Sequence, residues 1–181
     1  MKIIFYLLFT FCLFSANHSF AQTQIFIKAT DNEGHDIKGG SIDERFLDAI
    51  EALAYSEGDA SCGFTPNGGG SGCTVVTGAF NFTMNIDKSI ILLKKVMYSG
   101  QPLKTVDVSF VRNADQQIFY TIHMEGAFIN AISESGAGEA PTYFVGFDPT
   151  RIKWTHFPKN ADGSEGDPLS YEWDRETATG K

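Results

Sequence analysis

Positive charge is scarce in this 181-residue chain: 14 Lys and Arg stand against 22 Asp and Glu, a formal net charge of −8. Neutralising a phosphate backbone needs clustered Lys and Arg, so the composition argues against nucleic acid as the main partner. It disfavours an anionic membrane surface on the same ground. Histidine and cysteine are scarce too, with four and three residues. No His-Glu-x-x-His run suggests a zinc hydrolase, and no Gly-x-Ser-x-Gly elbow suggests a serine nucleophile. Internal repeats and an interdomain linker are also lacking. What the chain does have is 43% hydrophobic residues, 20% charged residues, 18 Gly, 16 Phe, 6 Tyr and 2 Trp. That mixture suits a packed core within a strand-rich, turn-rich fold.

Only one apolar run is long, Ile3 to Phe14, broken by Thr10 alone. As a helix, its twelve residues would cover roughly 18 Å, short of the roughly 30 Å hydrocarbon core. Lys2 precedes the run, and Ser19-Phe20-Ala21 follows with small residues at the −3 and −1 positions of a cleavage site. This is the pattern of a secretory leader. The expected division is a cleaved signal peptide over 1–21, with the cut between Ala21 and Gln22, and a single domain over 22–181. The expected location is periplasmic or secreted. The mature chain would carry 13 basic and 22 acidic residues, a net charge of −9.

Cys12 leaves with the leader, and Cys62 and Cys73 remain at either side of the Gly-rich stretch Gly63 to Gly72. In an oxidising compartment an even pair across a short loop suggests a disulfide. Such a bridge would contribute on the order of 2–3 kcal/mol. Two free thiols are the alternative. A zinc site would need further Cys or His ligands nearby, which the sequence lacks.

Alternation of apolar and polar residues predicts strands over Gln24–Thr30, Ile50–Ser56, Phe80–Asp87, Val106–Val111, Ile118–Glu125, Tyr143–Phe147 and Ile152–Thr155. Six or more short strands argue for a mainly β sandwich or barrel. One segment breaks the period. Asp87 or Ser89 can cap a helix whose apolar face is Ile90, Leu93, Val96 and Met97. Lys94 and Lys95 are expected in its last turns, Gly100 at a left-handed C-cap, and Pro102 beyond it. A weaker helical pattern covers Asp43 to Glu51. Loops are expected over Gly58–Gly72, Ser133–Ala140 and Lys159–Asp167.

Candidate chemistry is thin. Gly68 to Gly72 lacks the Lys and Ser/Thr of a phosphate-binding loop. The acidic turns Asp31–Asp36 and Asp162–Asp167 lack the spacing of an EF-hand. His35, His123 and His156 are far apart, and His123 falls on the polar face of its strand. The sequon Asn81-Phe82-Thr83 lies on a predicted strand. No catalytic residue, cofactor or metal is expected.

The stretch from Phe80 through Phe82, Thr83, Ile86, Asp87, Lys88 and Ser89, followed by an apolar helix ending at Ser99-Gly100, resembles the strand-then-helix signature of the haemolysin-coregulated protein (Hcp) family. These are the tube proteins of type VI secretion. Ile25–Lys28 resembles the family's opening strand. Ile50–Ser56 resembles its second strand, and Tyr171–Asp174 its C-terminal strand. The resemblance implies two antiparallel sheets forming a small barrel with one helix at its side. It also implies hexameric rings that stack into a tube, with small effectors and secretion-machine spike and sheath proteins as partners, and no catalysis. Two features depart from the family, the leader and the cysteine pair. They leave open an exported Hcp-like β-barrel binding module that acts outside the tube.

Overall fold

A computed structural model describes residues 23–61, 75–136 and 140–181. The leader with its Ala21/Gln22 junction, Cys62 and Cys73, and the Gly63–Gly72 stretch lie outside the described residues. Among the described residues twelve strands run in chain order: β1 (Thr23–Thr30), β2 (Asp36–Ile37), β3 (Ile50–Ser56), β4 (Asp59–Ala60), β5 (Val76–Thr77), β6 (Phe80–Asn85), β7 (Leu103–Arg112), β8 (Ile118–Ser135), β9 (Thr142–Asp148), β10 (Arg151–His156), β11 (Leu169–Asp174) and β12 (Thr179–Gly180). A helix, α1 (Ser89–Ser99), joins β6 to β7.

Six strands close a barrel in the order β8-β7-β1-β3-β6-β9, with β9 returning to β8. Every pairing is antiparallel. Closure depends on β8. Its first half pairs with β7 and β10, and its second half from Phe128 onward pairs with β9. The change of partner falls at Gly126, where φ is +57°. A Cβ there would meet Thr150 Oγ1 at 2.5 Å, so the position favours glycine both by conformation and by space. From the outer side of β8, strands β10, β11 and β12 extend the sheet beyond the barrel. Strands β4 and β5 form a separate two-stranded ribbon between β3 and β6.

The alternation read from sequence sets the inner face. Ile25, Ile27 and Ala29, Phe80, Phe82 and Met84, Val106, Val108 and Phe110, and Tyr143, Val145 and Phe147 all point into one core. Helix α1 adds Ile90, Leu93 and Val96 to it. Each fully buried Phe or Leu contributes on the order of 1.5–3 kcal/mol of hydrophobic stabilisation. A second, smaller cluster lies outside the barrel wall, where Phe26 and Phe46 stack at 4.2 Å beside Ala49 and Val111.

Some expectations need correction. Residues 44–48 form turns, not a helix, and the segment enters β3 at Ile50. Asp48 there has φ +59°, which breaks any helix. Phe46 and Leu47 therefore do not share a helical face; Phe46 is spent on the outer cluster. Ser133–Ser135 belong to β8, and Asp59–Ala60 to β4, although both were expected in loops. Lys94 and Lys95 lie one turn before the helix end, whose last turn holds no base. Lys94 instead sits 5.1 Å over the Tyr143 ring. The Gly100 cap is as expected, with φ +68° and its N–H donating to Met97 O at 3.2 Å.

Candidate assembly surface

The motif residues have a structural task. Phe82 is fully buried in the barrel, while Thr83 faces outward beside it. Asp87 Oδ1 accepts from the backbone N–H of Ser89 at 2.8 Å and from the Ser89 hydroxyl. Its Oδ2 accepts from Gly40 N–H at 2.7 Å. One carboxylate thus serves the first turn of α1 and the 38–49 loop together, close to the helix start where negative charge is favourable. Lys88 extends the link through an ion pair with Asp48 at 2.7 Å, and Asp48 also meets Lys38 at 3.1 Å. At the other end Ser99 Oγ donates to Val96 O at 2.7 Å. Ile86 is half exposed and takes no part in this network.

A polar cluster that no sequence signal marked sits at the root of the β4–β5 ribbon. Glu57, between β3 and β4, is half-buried and accepts from the Tyr55 hydroxyl and from Trp154 Nε1 at 3.1 Å. Trp154 stacks on Tyr171 at 6.1 Å and tilts against Phe80 at 6.3 Å. Burial raises the Glu57 carboxyl above its ordinary value, and neighbouring Asp59 adds to this, against the opposing effect of the two donors. Tyr120 is pushed up to about 12 by burial and by the Glu57 and Asp59 charges. Tyr55 is raised further, again chiefly by burial. Tyr55 and Trp154 are almost a hundred residues apart, so only the fold brings them together.

The outer face of the sheet carries charge in cross-strand rows. Lys28, Asp107, His123, Lys153 and Glu172 stand side by side on β1, β7, β8, β10 and β11. His123 Nδ1 lies 2.6 Å from Asp107 and its Nε2 3.5 Å from Glu125. Arg151 joins Glu125 at 2.6 Å to Asp174 at 3.1 Å. Burial alone would lower the His123 imidazole, but Asp107 and then Glu125 outweigh it and hold it above its ordinary value.

Exposed apolar side chains gather on the outer elements: Tyr98 (83%) and Ile91 (67%) on α1, Leu169 (73%) on β11 and Val76 (61%) on the ribbon. A cavity of about 550 Å³ separates α1 from the 31–36 turn. In that turn the donor atoms of Asp31, Glu33 and His35 come within 4.8 Å of one another. Asp31 Oδ1, however, already accepts from the backbone N–H groups of Glu33 and His35, so the turn is self-satisfied. The three histidines have separate partners: His156 Nδ1 faces Phe119 O at 3.0 Å, whereas His123 meets Asp107 and His35 meets Asp31. Among the described residues no helix is long and apolar enough to cross a membrane.

Comparison with known proteins adds the context. The family model described as "Type VI secretion system effector, Hcp" matches residues 26–156. A solved structure described as a type six secretion system protein superposes with a TM-score of 0.76 at 19% identity, covering 87% of this chain and 99% of its own. Hcp1 from Salmonella typhimurium gives 0.70 at 19% identity, over 88% and 99%. A type VI secretion system effector from Yersinia pestis gives 0.65 at 21% identity, over 83% and 98%. At these identities the structures speak for the fold. No curated protein matches the sequence.

Proposed function

The chain belongs to the Hcp family of type VI secretion proteins, and from that premise we propose that its mature form, Gln22–Lys181, is a non-catalytic building block that closes into hexameric rings and stacks them into a tube. The observation that carries this reading is the family match over a barrel whose interior is filled. Phe80, Phe82, Phe147, Met84 and Met124 occupy it with essentially no exposure. A six-stranded barrel of this kind has no channel of its own, so a passage for small effectors has to lie between copies.

Chemistry for self-contact is available on the outside. The barrel removes most strand edges; the outer edges that remain include β12 and the Leu169–Tyr171 part of β11, which β12 does not cover. A head-to-tail contact using two different patches closes into a ring when its rotation permits. The ribbon offers Val76. Spike and sheath proteins of the secretion machine are the further partners. A membrane plays no part once the leader is removed.

The leader favours a second reading: an exported Hcp-like barrel that acts as a binding module outside the tube, in the periplasm or beyond the cell. Light scattering on purified Gln22–Lys181 separates the two. Six protomer masses support the ring, and a single protomer mass supports the module.

A further inference from the structure

We infer that the two ends of the barrel are complementary docking surfaces for copies of this chain. The outer stripe of α1 on one copy, Ile91, Lys95 and Tyr98, seats on the ribbon root of the next, where Lys95 supplies the cation that Glu57 lacks. The contact rests on the stacking part of the reading above and adds the surfaces that meet.

The ribbon root is an anionic site without a cation. Tyr55 and Trp154 fasten the half-buried Glu57 by donating to its oxygens. Trp154 Nε1–H can only donate, so the group is held there as a carboxylate, with lone pairs left for a further donor. All 13 Lys and Arg of the mature chain lie among the described residues. Every ion pair they form is with a carboxylate other than Glu57 or Asp59. Burial raises the Glu57 carboxyl against two neutral donors, and Asp59 adds a second negative charge. Beside the carboxylates, Tyr171 stacks on Trp154 and is half exposed, and Leu169 stands two residues before it on the same face of β11.

The outer face of α1 is the counterpart. Ile90, Leu93 and Val96 turn into the core, which leaves Ile91, Lys95 and Tyr98 at i, i+4 and i+7 on one exposed stripe. Lys95 forms no ion pair among the described residues, and exposed apolar side chains flank it on both sides. One end of the barrel thus offers a cation set in apolar surface, and the other offers anions set in apolar surface.

The strand order puts the two at opposite ends. Ile27 pairs with Ile50 and Ile25 with Ala52, so Glu57, after β3, lies toward the Thr23 end of β1. Ser56 pairs with Asn81 and Ala52 with Met84, so β6 runs back toward Ile50 before α1 begins. The seven residues of β3 separate the two surfaces by roughly 20 Å, beyond the reach of a Lys side chain. Lys95 therefore meets Glu57 only across copies. Because the two patches differ, the contact repeats from copy to copy along a stack. In a mature chain of net charge −9 it also brings opposite charges together where copies would otherwise repel.

Sedimentation velocity of Gln22–Lys181 at low ionic strength reads the stacked species, and light scattering reads the mass of the unit that stacks. Lys95→Glu and Asp59→Lys should each lower the stacked fraction about tenfold with the ring mass unchanged. Added salt should lower it in wild type. Asp59→Lys/Lys95→Glu exchanges the charges and should recover most of the stacking. If Asp59→Lys does not fold, Lys95→Gln and Tyr98→Ala on the exposed stripe decide, and each should also lower the stacked fraction. A Lys95→Glu chain that stacks as wild type does overturns the contact, as does a folded charge-exchanged chain that stays unstacked. Wild-type rings that never associate end to end overturn it too, leaving the ring standing and this surface to another protein. Single protomers throughout overturn both the contact and the ring.

Discussion

Asp87 shows how a short motif can be informative without being chemical. Its two oxygens tie Ser89 at the helix start to Gly40 in a loop 47 residues earlier. The local half of that arrangement was legible, since an Asp two residues before a helical run is a capping signal. The Gly40 contact was not, because nothing in the sequence pairs the two segments. His123 is a similar case. Alternation placed it on the polar face of its strand, but its partner Asp107 is set by the β7–β8 register. Because its imidazole is held above the ordinary value, the charged His123 contributes stability that is fully present below about pH 6.5 and is lost as pH rises through the folded value. Denaturant titrations of wild type between pH 6 and 9 should show this decline, and His123→Gln should flatten it. An equal slope in the variant would assign the decline to other groups.

At the scale of elements, strands whose one face is buried were readable from alternation, and α1 from its apolar face and its Gly100 stop. What alternation could not show was the continuation of β8 through Ser135. Beyond Gly126 the strand bends and changes partner, and an irregularity between Ile129 and Ala131 interrupts the period. The predicted end at Glu125 is therefore the place where one strand joins two walls. Gly126→Ala must accept φ near +57° and crowd Thr150 Oγ1. It should lower stability by about 1–3 kcal/mol in urea denaturation. Adding Thr150→Ala should recover part of that loss by removing the crowding. The weak helical pattern over Asp43–Glu51 failed for a related reason: stacking Phe46 on the outward-facing ring of Phe26, which buries both, outweighed local helix propensity.

For the whole molecule, the family match and the filled barrel support the proposed reading, in which copies of the chain meet through their outer surfaces. The Cys62 and Cys73 pair bears on this, since both fall in the sequence between β4 and β5. We propose that oxidation of the pair restricts the ribbon and tunes ring stacking. Sedimentation of the oxidised protein should then differ from that of Cys62→Ser/Cys73→Ser in the proportion of stacked species. The oxidised form should also unfold with about 2–3 kcal/mol more stability. Identical sedimentation under oxidising conditions would remove the link to stacking.

Local physics written into the chain determined the mainly β character, helix α1 with its Gly100 cap, the side chains of the inner faces and the absence of a nucleic-acid-like charge pattern, because each depends on neighbours within a few residues. Closure of the sheet through β8, the outer Phe26–Phe46 cluster, the charged rows around His123 and the Glu57 fastening were decided only by the tertiary structure. Each joins residues distant in the chain, and a one-residue change of register would separate them.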